Sequence, residues 1–240
     1  MRYIVGLASA ILIAACAAPH ASNIDRHVEA RGGETAIEAQ NTIRVRVRVT
    51  EPTFTVEGDY RATRDGLMRI DIYADGNRVY TEALDGSEGW QMYGDGSIAG
   101  HSEDGRRILA AGIAGNLYGL HEYASLGHIV GDGQTETIDG FAYPTIDISY
   151  EGGREERLYL DPDSWLTVRQ RGEYALHPDV DPTQEIFETL YSDFREVDGV
   201  MRAFQTRKIN LRTGEIAQET QILSVEINPE LDPAQFERPE

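Results

Sequence analysis

The feature that most limits how this chain can fold is a run in which every second residue changes character. In Ile43-Arg44-Val45-Arg46-Val47-Arg48-Val49, β-branched apolar residues alternate with arginines without a break. A period of two belongs to a strand with one buried and one wet face, because successive side chains leave a strand on opposite sides. Asp-Gly pairs then stand at 65/66, 75/76, 85/86 and 95/96, and between them lie Leu67 to Tyr73, Val79 to Leu84 and Trp90 to Tyr93, rich in β-branched, aromatic and apolar residues. Asp-Gly readily takes the positive φ angles of tight hairpin turns, so this stretch reads as an antiparallel meander.

Two helical signals frame the meander. Ser22, with Asp25 three residues on, is a capping box for a helix running to about Arg31, stopped by Gly32-Gly33 and followed by a helical turn from Glu34 to Gln40. From Gly105 to about Gly127 the period is helical again, with Leu109, Ile113, Leu117, Leu120 and Ala124 on one stripe and Gly112, Gly115 and Gly119 on a different face. Each glycine weakens the helix by about 1 kcal/mol, so it must be held by packing or be built to move.

A second β run follows, with strands expected near Thr135 to Ile138, Phe141 to Tyr150, Glu155 to Leu160, Leu166 to Tyr174, Ile186 to Val197, Met201 to Leu211 and Ile216 to Ile227. The tail from Asn228 carries Phe236, expected to plug a barrel edge. The class is α+β: a curled antiparallel sheet of about eleven strands forming a half-open, unclosed β-barrel, with helices as a lid over its concave face.

The N-terminus carries Arg2 and then an uncharged run from Tyr3 to Ala15, ending in Ile13-Ala14-Ala15-Cys16, the only cysteine. The run is shorter than the roughly 20 residues of a membrane-spanning helix but suits a secretory signal. It resembles a type II signal peptide, whose lipobox would make Cys16 the acylated first residue of the mature chain; an ordinary signal cut after Ala17 or Ala21 is the alternative. The resulting division is 1–15 signal peptide, 16–22 lipidated tether and 23–240 one half-barrel domain. Ala17 after the cysteine favours the outer membrane. With no cysteine beyond the leader, the folded part contains no internal disulfide and depends on its core.

Acidic residues outnumber basic ones by 41 to 22, a net charge of -19, which argues against nucleic acid as a partner and mildly against a lipid recognised through an anionic head group. There is no nucleophile elbow, phosphate loop or His-Glu-x-x-His, so no catalytic residue, cofactor or metal is expected. His121 and His128 could share a helix face, but no third ligand is placed beside them. Asp179, Asp181 and Glu185 alternate like a calcium loop but lack its glycine, and Pro178 and Pro182 mark an ordinary acidic loop.

Three features together carry a resemblance to the LolA/LolB superfamily of periplasmic lipoprotein carriers. They are the opening helix with Gly32-Gly33 ahead of Thr42-Ile43, the apolar mid-chain helix between two β runs, and Asp193-Phe194-Arg195-Glu196-Val197-Asp198-Gly199 with the tail from Asn228 to Pro239. The resemblance implies an apolar cavity for acyl chains under a helical lid. Its expected lining is Val45, Val47, Val56, Met68, Ile70, Ile72, Trp90 and Met92 on strands and Leu109, Ile113, Leu117 and Leu120 on the lid. The superfamily includes an arginine that gates lid closure; no arginine of this sequence is matched to it.

The implied function is a non-enzymatic envelope lipoprotein, anchored through Cys16, that binds a lipid or the acyl chains of a lipoprotein. A protein-interaction or sensor module with a shut cavity is the first alternative, possessing an envelope protein partner. An enzyme acting on lipid or glycan through acidic residues is the second.

Overall fold

The computed structural model describes residues 21–86 and 88–239; the leader and Cys16 lie outside them. Helices α1 (Asn23–Ala30) and α2 (Glu34–Glu38) precede strands β1 (Thr42–Glu51), β2 (Phe54–Thr63), β3 (Leu67–Ala74), β4 (Asn77–Asp85), β5 (Gly89–Tyr93) and β6 (Ile98–Gly100). Helix α3 (Glu103–Leu117) and a 3-10 segment (Leu120–Leu126) lead to β7 (Ile129–Asp132), β8 (Glu136–Ile138), β9 (Phe141–Tyr143) and β10 (Thr145–Ser149). Strands β11 (Glu155–Leu160), β12 (Thr167–Tyr174), β13 (Glu185–Val197), β14 (Val200–Asn210) and β15 (Ile216–Ile227) complete the sheet, before a short 3-10 turn (Pro233–Phe236).

Among the described residues, 13 strands form one antiparallel sheet in the order β6-β5-β4-β3-β2-β1-β15-β14-β13-β12-β11-β10-β7. The two meanders are joined side by side where β1 pairs with β15, and the sheet does not close. Its edges, β6 and β7, are consecutive strands in sequence, and the chain passes between them through α3 and the 3-10 segment. The helical crossover therefore spans the open seam. Both edges are short, at 3 and 4 residues, which limits unwanted pairing with other chains.

Of the four Asp-Gly pairs in the first meander, 75/76 takes positive φ at both residues, and at 65/66, 85/86 and 95/96 the glycine alone does. Asp75 and Gly76 take φ of 51° and 77° between β3 and β4, and Asp198 and Gly199 take 47° and 77° between β13 and β14, the all-positive geometry of tight two-residue hairpins. Pro144 divides the expected Phe141 to Tyr150 strand: β9 turns away to pair with β8, while β10 joins the main sheet.

The alternation in β1 sorts the two faces of the sheet. Ile43 and Val45 face the concave interior and are at most 4% exposed, whereas Arg44 reaches the convex face and forks onto Asp59 at 2.9 and 2.8 Å. Asp59 also takes Arg61 at 2.6 Å, and Asp71 takes both Arg61 and Arg69, so a ladder of cross-strand charges runs over β1 to β3. On the opposite arm Arg157 binds Asp147, and Arg169 and Arg171 bind Glu188. The convex face is covered in two places: the hairpin β8–β9 brings Glu136 to Arg157, and the C-terminal turn seats Phe236 beside Trp90.

Phe236 is 1% exposed and its carbonyl accepts the Trp90 indole N–H at 2.8 Å, so it seals the convex face and not, as expected from sequence, a barrel edge. The long mid-chain helix is also shorter than its period suggests. Helix α3 stops at Leu117 because Tyr118 is extended (φ -109°, ψ 152°), its hydroxyl bonded to the Arg64 carbonyl. Arg64 in turn gathers the loose ends of three elements, donating to Gln40 O (2.7 Å), Ile37 O (2.9 Å) and Leu117 O (2.7 Å) and pairing with Glu122 at 2.6 Å. Orphan carbonyls at two helix ends thus share one guanidinium.

Candidate functional site

The concave face carries two clusters of buried side chains and a cavity bordered by residues of both. Over β1 to β4, Leu109, Ile113 and Leu117 press onto Ile43, Val45, Tyr60, Ala62, Met68 and Leu84 in one continuous cluster of buried side chains. These residues occupy one another's space in the manner of an ordinary core. On the other side of α3, toward β10 to β15, lies a cavity of about 390 Å³. Its lining takes Ile108, Ala111, Gly112 and Gly115 from α3, Ile222 and Val225 from β15, and Ile148, Leu158, Leu120 and Tyr123, which belong to a second cluster of buried side chains. A Cβ built on Gly112 or Gly115 meets nothing within 4 Å; Gly112 is half-buried and leaves room at the cavity, whereas Gly115 is exposed and the space beside it opens to solvent. A second pocket of about 330 Å³ shares Ile108, Ala111, Tyr150 and Arg154 with the first. Volumes of this size suit one small amphiphile.

The lining is not wholly apolar. Glu156 is 6% exposed, accepts from the Tyr150 hydroxyl at 2.8 Å and pairs with Arg154 at 3.5 Å. Burial raises its pKa against the pull of Arg154. Burial likewise pushes the Tyr123 phenol up to about 12. The Tyr191 hydroxyl donates to Gln170, tying β13 to β12 on the cavity wall. Arg31 and Arg202 line the same space, and burial holds the Arg202 guanidinium down at about 10, with the like charge of Arg31 as the next cause.

Local structure explains how Arg31 and Arg202 arrive there. Arg31 caps α1, and its carbonyl accepts from Met201 N at 2.8 Å. Gly32 follows with φ of +121°, packed so closely on the β13–β14 turn that a Cβ would stand 1.9 Å from Gly199 O. Gly32 and Asp198-Gly199, both among the residues carrying the family resemblance, therefore meet in space.

Of the residues expected to line a cavity, Val45 and Leu120 border this one, each while packed in a core cluster. Met68, Leu109, Ile113 and Leu117 are consumed in the core beneath α3, with Val47 and Ile70 packed at its margin and closing over Gly58. Val56 and Ile72 are partly buried on the concave side of β2 and β3. Trp90 and Met92 are corrected: cross-strand pairing puts Trp90 level with Ala83 and Arg69, and Met92 level with Thr81 and Asp71, all on the convex face. The cavity residues from the second meander, such as Ile148, Leu158 and Ile222, carried the same inward alternation as β1 and were legible as inward-facing. Arg31 and Arg202 had no sequence signal, since their proximity depends on the docking of α1 against a distant hairpin.

The two histidines do not converge. His128 packs against Tyr123 and Tyr150 at ring distances of 5.5 and 5.0 Å, while His121 turns to Glu38 at 3.3 Å. With Glu34 these last two bring ligand atoms within 4.8 Å of one another, but both glutamates are exposed. The Asp179 loop is held by protein groups, accepting from Ser102 N at 2.8 Å and bonding His101 at 2.6 Å. Among the described residues no helix is long and apolar enough to cross a membrane.

No protein-family model matches the chain, and no curated protein matches it. Solved structures do. The chain aligns over 90% of its length with 96% of a LolA superfamily protein from Nitrosomonas europaea, at a TM-score of 0.60 and 13% identity. A domain assigned to outer membrane lipoprotein sorting from Vibrio parahaemolyticus gives 0.58 at 11% identity, covering 90% of this chain and 95% of the other. A DUF1329 family protein from Desulfovibrio piger gives 0.58 at 13%, with the same coverage of 90% and 95%. The fold is LolA-like: an unclosed antiparallel half-barrel with helices across its mouth.

Proposed function

We propose that this protein is a non-enzymatic lipoprotein of the bacterial envelope, a single half-barrel domain (23–240) tethered through an acylated Cys16, that holds a lipid or the acyl chains of a lipoprotein in the cavity under α3. The observation that supports this most directly is the room beside the half-buried Gly112, on a fold shared with a lipoprotein-sorting domain. Glycine weakens a helix, and at Gly112 the vacated space is bordered by the apolar side chains of Ile108, Leu158 and Ile222.

Filling that space tests the reading. Gly112→Leu places an isobutyl group into the void while improving helix propensity by about 1 kcal/mol, so a loss of binding would not come from a weakened helix. The expected result is a melting temperature equal to or above the parent's, with displacement of a bound fluorescent fatty acid at least tenfold weaker. Unchanged affinity in a folded variant would remove this cavity as the binding site. Intact mass of the protein from its own host checks the anchor: a diacylated or triacylated N-terminus at Cys16 is expected, and an unmodified start beyond residue 16 rules it out.

The two packed clusters on the concave face favour a second reading, an interaction module on the same fold. Absence of any co-purifying lipid in native mass spectra, together with no fatty-acid binding, would select it.

A further inference from the structure

Two cations line the cavity without a directly paired carboxylate, the charge of Glu122 acting on Arg31 only from beyond ion-pair distance. Arg31 Nη1 reaches Tyr118 O at 3.4 Å, and among the described residues it makes no ion pair. Arg202, 9% exposed, donates through Nη1 to Asn116 O at 2.9 Å and through Nη2 to Gln40 Oε1. Its Nε–H is buried without an acceptor, as is Nε2 of the Gln40 amide it holds. The neighbouring acids are engaged elsewhere: Glu122 by Arg64 at 2.6 Å and by Gly119 N at 2.9 Å, Glu156 by Tyr150 and Arg154.

Buried donors without acceptors and buried charge without counter-charge are both costly, and a protein retains them where a ligand completes the set. Burial and the adjacent Arg31 depress the Arg202 guanidinium only to about 10, so it is charged at neutral pH. Both side chains border the same space as Ile108, Gly112 and Leu158, a mixed lining in which the other charged pair, Glu156 and Arg154, is already matched.

We propose that Arg31 and Arg202 form an anionic head-group site, taking the carboxylate or phosphate of a single-chain acidic lipid whose tail lies under α3. This rests on the lipid-binding reading above and narrows it, since the diacylglyceryl and amide-linked chains of a lipoprotein anchor carry no negative group beside them. Fatty-acid carboxylate and lysophospholipid phosphate share the chemistry that two guanidinium groups recognise.

The test is titration calorimetry of the delipidated full-length protein, below the micellar range, with three probes of one chain length: oleate, oleoyl lysophosphatidate and uncharged oleyl alcohol. At least one acid should bind about tenfold or more tightly than the alcohol, the weight of a charge-assisted hydrogen bond, and the tighter acid identifies the source as carboxylate or phosphate. Arg202→Gln should abolish most of that preference and leave the alcohol's affinity unchanged. Arg31→Gln, at a partly exposed position, should do the same and serves if Arg202→Gln does not fold. Equal affinity for acid and alcohol, or a preference that survives both substitutions, overturns the head-group site while acyl binding stands. Binding of none of the three overturns the cavity reading as well.

Discussion

His27 illustrates how a single buried side chain sets a pH response. It is 5% exposed, its Nδ1 bonds the Trp165 carbonyl at 2.9 Å, and Arg31 stands on the same helix. Since a carbonyl only accepts, Nδ1 carries the proton, and the neutral ring satisfies the site. Burial first, and the Arg31 charge second, lower its pKa from 6.5 to about 4. Above pH 6.5 both folded and unfolded chains carry a neutral ring and the stability is fully present. As pH falls, the unfolded chain takes up the proton first, so stability is lost progressively, by roughly 3 kcal/mol at pH 4. Urea denaturation of the parent and of His27→Gln at pH 7 and pH 5 should differ in their pH-induced loss by about 2 kcal/mol, the variant losing less. Equal losses would show that His27 does not carry this dependence. The composition of α1 reveals none of this: the ring's burial follows from the docking of α1 over Trp165.

At the scale of elements, the strands were readable because period two and Asp-Gly chemistry are local, while the end of α3 was not. Leu109, Ile113, Leu117 and Leu120 keep a helical period through the break, and what interrupts it is Arg64, which arrives from the β2–β3 turn to claim Leu117 O. Strand β2 carried a weak signal because Glu57, Gly58 and Asp59 sit mid-strand; Gly58 is there since Val47 and Ile70 close over it. Arg64→Met should leave Glu122 unpaired in a partly buried site and free the carbonyls of Ile37, Gln40 and Leu117, at a cost of about 3 kcal/mol. Amide exchange in the last turn of α3 should quicken beyond the global effect, and adding Glu122→Gln should recover part of the loss. Uniform destabilisation without recovery would mean that Arg64 does not act as the clasp.

For the whole molecule, a sheet of 13 strands with helices on one side must still protect its other side, and the far C-terminus does so at Trp90. Phe236→Ala should therefore cost about 3–5 kcal/mol, as for a buried aromatic truncated in a core. Its Trp90 emission should shift to the red while any fatty-acid affinity, measured well below the unfolding transition, stays the same, because the tail and the cavity lie on opposite faces. A loss of only a few tenths of a kcal/mol would show the convex cover to be dispensable.

Sequence alone determined the architecture: alternation in Ile43 to Val49, turn chemistry at the Asp-Gly pairs, the Ser22–Asp25 cap and the glycine face of α3 each act over a few residues, and local physics is written locally. Tertiary structure decided which inward-facing side chains fill space and which border it. Leu109 and Gly112 lie three residues apart on one helix, yet Leu109 is packed in the cluster with Met68 and Leu84 while Gly112 borders the cavity, because the two positions look toward different parts of the concave face. It likewise decided that Trp90 belongs outside, and that Arg31 meets Arg202. Those outcomes depend on cross-strand parity and on contacts between segments far apart in the chain, and no short stretch of sequence contains either.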